Sequence, residues 1–278
     1  MTLYWLSPGD PDQRTGGYLW NARIARALGL RGVEVRFVPL VGDWPRPAPA
    51  AWGALDAIPS GARVVADGLC WPGLGEAGRR LVGRCRVTVV VHSQLGREGA
   101  MIDRELDALE RASWSGCAGL VATSGLTAAA LGRSDVAVVI PGTAPAQVVP
   151  LRVRAPVHLL TVGTLTRRKG HDRLLDALAT VPEPWVLRCA GELRDPEWAE
   201  RVAAQARGFG DRVTFTGALD DAALDAAYAD ADLVVQAASF EAFGMAIAEA
   251  VARGLPVLTP PAGVVDHLPP GAVAITTP

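Results

Sequence analysis

The sequence predicts an α/β protein of two tandem domains, each built on a mostly parallel sheet. Three observations carry that expectation. Short apolar runs alternate with longer amphipathic runs along almost the whole chain. Several of the short runs are apolar without strict alternation, as strands covered on both faces are. One proline-rich stretch breaks the alternation near the middle, and a second series then begins.

The first series predicts strands at Leu3–Leu6, Glu34–Val38, Arg63–Ala66, Val87–Val91, Gly119–Ala122 and Val136–Ile140. Helical patterns lie between them at Tyr18–Leu28, Glu98–Ser115 and Gly125–Leu131. This order reads as βαβ units. The stretch PGTAPAQVVPLRVRAP, residues 141–156, has four prolines and no regular pattern, and is the linker expected between a domain at 1–150 and one at 151–278. The second series predicts strands at Val157–Val162, Trp185–Arg188, Val213–Phe215, Leu233–Val235 and Pro256–Leu258. Its helices are Asp172–Ala179, Pro196–Ala206, Asp221–Ala229 and Phe243–Ala252. Both halves therefore read as Rossmann-like. Ligands of open α/β sheets bind beyond the carboxyl ends of the strands, so two such domains facing each other would form a cleft.

The 278 residues carry 27 Lys and Arg against 29 Asp and Glu, a formal charge of -2 without a long basic block. That argues against a nucleic-acid partner. The four cysteines form no CxxC pair and read as free thiols of a reducing compartment. Neither a basic leader with an apolar core nor a run of about 20 apolar residues is visible, so a cytoplasmic protein is expected. A folded surface can still gather distant residues into a peripheral membrane contact.

Four segments could carry chemistry. In SPGDPDQRTGGYLWNARIARAL, Gly16 and Gly17 lie where a strand gives way to a helix. They make either a plain turn or one that lets backbone approach a ligand and free amides meet an anion. The pattern is neither GxGxxG nor a P-loop. In TVVVHSQLGREGA, His92 ends an apolar strand, where it either packs structurally or meets a substrate hydroxyl. His158 and His171 are weaker candidates, and the histidines form no metal motif.

In HLLTVGTLTRRKGHDRLLDAL, Gly163 and Thr164 open a polar loop, with Arg167, Arg168 and Lys169 before a helix. Cations and free donors in this arrangement suit a diphosphate, although a solvated basic loop has the same composition. In ASFEAFGMAIAEAVARGLPVLTPPAG, Glu241 and Glu249 are eight residues apart. With a helix from Phe243, Glu241 falls on the preceding loop, and the amides of Gly244 and Met245 lie between the two carboxylates. They could contact opposite ends of an extended nucleotide-sugar, or be ordinary surface glutamates. Gly254 is placed to end that helix.

These segments resemble the GT-B glycosyltransferases of family 4, the glycosyl transferases group 1, over nearly the whole chain. Glu241-x7-Glu249 within its long embedding motif is the most specific piece. The stretches TVGTLTRRKGHDRLLDAL, VTFTGALDDAALDAAYADADLVVQAAS, Gly16–Gly17, VHS around His92, and VATSGLTAAAL with PGT add to it.

The resemblance implies the GT-B fold and a retaining transfer from a nucleoside diphosphate-sugar (UDP-, GDP-, ADP- or TDP-) to a hydroxyl acceptor. It implies no compulsory metal or other cofactor. It implies that Glu249 binds the ribose, Glu241 the donor sugar, and Lys169 with a nearby Arg the diphosphate. Catalytic roles then fall to His92, Glu241 and Lys169. Gly16, Gly17, Gly163, Thr164, Arg167, Arg168, Leu219, Phe243, Gly244 and Met245 surround the donor, with the base near Leu219.

Two departures stand out. Thr164 occupies a position where the family often has Arg, so Arg167 or Arg168 must supply that cation. Comparable proteins continue past this sequence's end with further helices, so the carboxy-terminal part reads as shortened. A regulatory or nucleotide-sugar-binding protein on the same fold, and an epimerase or phosphorylase, are the rival readings. The sugar, the acceptor and the oligomeric state are not legible.

Overall fold

The computed structural model describes residues 1–13, 15–47, 52–97 and 103–276. The chain divides into two compact units, Met1–Pro141 and Gly142–Pro278. The boundary lies at the start of the proline-rich stretch, which has no helix or strand through residue 154.

In the first unit, β1 (Thr2–Pro8), α1 (Gly16–Gly29), β2 (Glu34–Leu40), α2 (Gly53–Asp56) and β3 (Arg63–Asp67) follow one another. Then come α3 (Gly75–Arg84), β4 (Arg86–Val91), α4 (Arg104–Ser113), β5 (Gly119–Ala122), α5 (Gly125–Leu131) and β6 (Val136–Val138). The six strands form one parallel sheet in the order β2-β1-β3-β4-β5-β6. Alternate residues enter opposite faces, as the two-residue strand period requires. Leu6, Val64, Val89 and Val91 pack with Leu55, Leu81, Trp114 and Leu131 from the α2–α5 side. Trp5, Val90 and half-buried Val65 pack with Trp20 of α1.

Side-chain caps start two of these helices. The Asp103 carboxylate accepts the Glu105 and Leu106 amides, and the Ser124 hydroxyl accepts the Thr127 amide. The helix expected over Glu98–Ser115 begins at Arg104, and residues 98–102 of that expectation lie outside the described residues.

The second unit runs β7 (Val157–Val162), α6 (His171–Leu178), β8 (Trp185–Ala190), α7 (Pro196–Ala206), β9 (Val213–Gly217) and α8 (Asp221–Asp230). It continues through β10 (Leu233–Val235), α9 (Met245–Ala252), β11 (Val257–Thr259) and β12 (Val273–Ile275). Its parallel sheet has the order β12-β11-β10-β7-β8-β9. Leu159, Leu187 and Val235 pack against α6 and α7, while Leu160, Ala190 and Val234 pack against α8 and α9. Each fully buried leucine contributes about 2 kcal/mol by removal from water.

Both sheets contain a point where strand order reverses. It lies between β1 and β3 in the first unit and between β7 and β10 in the second. Chain leaving neighbouring strands in opposite directions opens a crevice at their carboxyl ends, and this positions the residues below.

Candidate active site

In the second unit, β7 ends at Val162 and β10 at Val235, on either side of the switch point. The Gln236 side chain donates to the Val162 carbonyl at 3.1 Å and ties the two strand ends together. The loop after β7 begins with Gly163 and Thr164, both half-buried. The Gly163 amide donates to Ala190 and the Leu165 amide to Glu192, both at 2.9 Å, joining this loop to the one after β8. A Cβ at Gly191 would stand 1.9 Å from the Gly163 carbonyl oxygen, so the two main chains touch there.

Arg167–Lys169 form one tight 3₁₀ turn. Successive residues of such a turn point about 120° apart, and the three cations take three partners. Arg167 lies over the Trp198 ring, 4.9 Å from its centroid. Arg168 donates to the Phe240 carbonyl at 2.9 Å. Lys169 Nζ donates to Glu241 Oε2 at 2.6 Å, and Arg168 comes within 4.0 Å of the same oxygen. The Ser239 amide returns a bond to the Arg168 carbonyl at 2.8 Å. Gly170 follows in the left-handed region at φ 66°, and a Cβ there would stand 2.2 Å from the Ala237 carbonyl oxygen. Glycine is thus what lets the loops after β7 and β10 lie together.

Glu241 is the centre of this cluster. Burial raises its pKa, but the Lys169 and Arg168 charges, with bonds from Lys169 and the Gly244 amide, outweigh burial and hold it below its ordinary value. Gly244 has φ 102° and caps α9, which starts at Met245, two residues later than its pattern predicts. A left-handed residue cannot belong to the helix it precedes. The Gly244 amide is thus already directed at a carboxylate.

Glu249 lies one helical turn before the end of α9, where the Tyr228 hydroxyl donates to its Oε2 at 3.1 Å. Burial, followed by the Glu249 charge, pushes the Tyr228 phenol well above its ordinary range, so it stays a donor. Leu219, Phe243 and Met245 pack into the α8–α9 core cluster, where Phe243 is buried. The second unit therefore brings together Gly163, Thr164, Arg168, Lys169, Glu241 and Gly244, with Glu249 further along α9. Arg167 is occupied by Trp198. His158 instead pairs with Asp230 at the start of β7, at 3.2 Å. His171 is buried at the start of α6 with neither ring nitrogen partnered among the described residues.

In the first unit, α1 starts at Gly16, two residues before its apolar pattern. His92 follows β4 and lies against Gly17, where a Cβ would stand 3.2 Å from two ring carbons. The Trp20 ring meets it edge-on at 5.2 Å between centroids. Two further residues, not singled out from sequence, complete the cluster. Asn21 of α1 accepts from His92 Nε2 at 2.8 Å through Oδ1 and donates to Asp67 Oδ2 at 3.1 Å. Asp67 ends β3, and its other oxygen accepts the Leu69 amide at 2.9 Å. Asp67 occupies the position that marked His92 in the sequence, the carboxyl end of a strand. Burial pushes His92 below its ordinary 6.5 against the opposing pull of Asp67. No group of three or more His, Cys, Asp or Glu that could hold a metal ion occurs among the described residues, and no described helix is long and apolar enough to cross a membrane.

Comparison with known proteins adds to this geometry. Residues 151–268 match the family model described as Glycosyl transferases group 1. Mannosylfructose-phosphate synthase of Agrobacterium fabrum is 34% identical over 112 residues, covering 36% of this chain and 24% of that protein. The match spans about a quarter of that relative's length. Among solved structures, sucrose-phosphate synthase of Thermosynechococcus elongatus superposes with a TM-score of 0.76 at 20% identity, over 97% of this chain and 84% of that one. Anabaena HepE in complex with UDP-glucose gives 0.75 at 17% identity, over 99% and 85%. These likenesses show the GT-B fold. The family match falls on the second unit, over residues 151–268.

Proposed function

We propose that this protein is a retaining glycosyltransferase that moves a sugar from a nucleoside diphosphate-sugar to a hydroxyl acceptor. The observation that carries the reading is the gathering of Arg168, Lys169, Glu241 and the Gly244 amide at the switch point of the second sheet. Cations and aligned amides at one crevice suit a diphosphate, whose charge grows as the sugar leaves. The match of residues 151–268 to the glycosyl transferases group 1 model supports the same assignment.

In this reading Lys169, Arg168 and the Thr164 amide hold the diphosphate, with Gly163 and Gly244 letting main chain come close to it. Glu249 accepts from the ribose hydroxyls, and Glu241 from a hydroxyl of the transferred sugar. The base rests near Leu219. His92 receives a sugar hydroxyl, and the first unit selects the acceptor. The bond between the anomeric carbon and the phosphate oxygen breaks while the acceptor oxygen bonds to the same face of that carbon. The acceptor proton passes to the departing phosphate oxygen, so the step balances without a protein general base. Arg168 and Lys169 offset the charge on that oxygen.

The test is calorimetric binding of UDP-, GDP-, ADP- and TDP-glucose to the full chain. We expect one nucleotide to be preferred and Glu249→Ala to weaken it roughly 10- to 100-fold, the loss of hydrogen bonds to one carboxylate. A folded chain that binds none of the four would overturn the reading. Retention is read separately, by proton NMR of the sugar first released by slow donor hydrolysis: it must keep the donor's anomeric configuration.

A further inference from the structure

The hydrogen-bond chain at His92 determines more than where the ring sits. Asp67 Oδ2 lies 3.1 Å from one terminal atom of the Asn21 amide. A carboxylate only accepts, so that atom is the amide nitrogen. The opposite assignment would set two acceptor oxygens against each other in a buried site, with Asn21 2% and Asp67 5% exposed. The other terminal atom of Asn21 is then the carbonyl oxygen, which also only accepts. It lies 2.8 Å from His92 Nε2. The hydrogen on that bond must therefore belong to His92.

We infer that Asn21 and Asp67 are positioning residues that lock His92 in its Nε2–H tautomer, leaving Nδ1 as a lone-pair acceptor, so that the group His92 receives is a hydrogen-bond donor such as a hydroxyl and not an anion. The lock is directional. The Leu69 amide at 2.9 Å and Asn21 occupy the two carboxylate oxygens of Asp67, and each link orients the next. No protein partner occupies the ring's other nitrogen among the described residues. The ring is confined on one side by Gly17 and on another by Trp20, which leaves it little room to flip. The desolvation that lowers its pKa keeps it neutral. The inference rests on the proposed function only for the identity of the hydroxyl, which we assign to a sugar substrate.

Nitrogen-15 NMR of the full chain, labelled at histidine, tests the lock at neutral pH. The chain has four histidines, and the signal lost in His92→Gln assigns the ring. We expect Nε2 protonated and Nδ1 bare. Asp67→Asn should reverse the pattern. Its carboxamide oxygen keeps the Leu69 amide and its NH2 donates to Asn21. The Asn21 amide then turns to donate to His92 Nε2, and the proton moves to Nδ1. Asn21→Leu leaves the Asp67 carboxylate 3.7 Å from Nε2 as the nearest acceptor, so there Nε2–H should persist. Inorganic phosphate should leave the His92 signals unmoved.

An Nδ1–H or doubly protonated ring in the unchanged protein would overturn the inference. So would a pure Nε2–H signal surviving in Asp67→Asn, or protonation of Nδ1 on adding phosphate. The spectra need neither donor nor turnover. An intact tautomer with no donor binding therefore counts against the transferase reading, and donor binding with the wrong tautomer counts against the lock.

Discussion

In the first unit the strand order reverses between β1 and β3, and the polar groups beside that point, Asn21, Asp67 and His92, form a chain with a neutral ring at its end. In the second it reverses between β7 and β10, and the groups gathered there are two cations around one carboxylate. The same topological feature thus carries two electrostatic designs. Hydrogen bonds whose direction is set at every link make the first specific. The second is specific through charges that stay in a dry place only while each has its opposite. The first design should fail when the direction of one bond changes, as in Asp67→Asn. The second should fail when a charge loses its partner.

The largest test of that contrast is Glu241→Gln. It strips Lys169 and Arg168 of their counter-ion at a site 15–16% exposed. We expect a loss of about 3 kcal/mol in urea unfolding of the second unit and at least a ~100-fold fall in transfer rate. Pairing it with Lys169→Met should recover much of the stability and none of the rate. Glu241's lowered folded value means its stabilisation is present above the ordinary glutamate value of 4.5 and is lost as pH falls through the lowered one.

Comparable in size is the contribution of His171, whose folded value is pushed down to about 4, first by burial and then by Lys169. Between 6.5 and about 4 the unfolded chain binds a proton that the folded one refuses. Stability therefore drops as the pH is lowered across that window, by about 3 kcal/mol in total. His171→Leu should flatten the profile, read as urea midpoints from pH 7 down to 4.

A smaller effect is expected for Gly17→Ala in the first unit. The added methyl meets the His92 ring at 3.2 Å and should cost about 1 kcal/mol, while broadening the ring's NMR signals. The smallest is Arg167→Ala, which removes the contact with Trp198. It should lower stability by roughly 0.5–1 kcal/mol and leave donor affinity unchanged, because this arginine is the one turned away from Glu241. A drop in donor affinity equal to that of Arg168→Ala would contradict the division of labour within the turn.

Strand patterns and the ends of β7 and β10 were legible because buried parallel strands are written as unbroken apolar runs. Helix α3 was not. Gly75, Gly78 and Gly83 lower its propensity, and it forms because Gly78 packs closely on Leu74 and Trp71. Strand β12 is three residues beside a Pro-Pro-Gly turn, too short to show a period. In the site, Lys169 and Glu241 were readable as a basic loop and an acidic loop, each following a strand. Which of Arg167 and Arg168 joins them was not, since adjacent residues differ only in the direction a tight turn gives them. Asn21 reads as an ordinary polar residue on a helix. Its role depends on α1 crossing the end of β3, and a linear pattern does not contain that crossing. Asp67 carries the strand-end signal, but the partners that make it matter, Asn21 of α1 and His92 after β4, are brought beside it by the sheet order.

The bare contact between Gly163 and Gly191 has a mechanical consequence. With main chain against main chain and no side chain to act as a cushion, the loops after β7 and β8 have no slack between them. Two amide bonds, from Gly163 and Leu165, pin them on either side of that contact. They must open as one hinged flap. Solvent exchange at the Gly163 and Leu165 amides should therefore be concerted, with a single rate that slows for both when the crevice is filled.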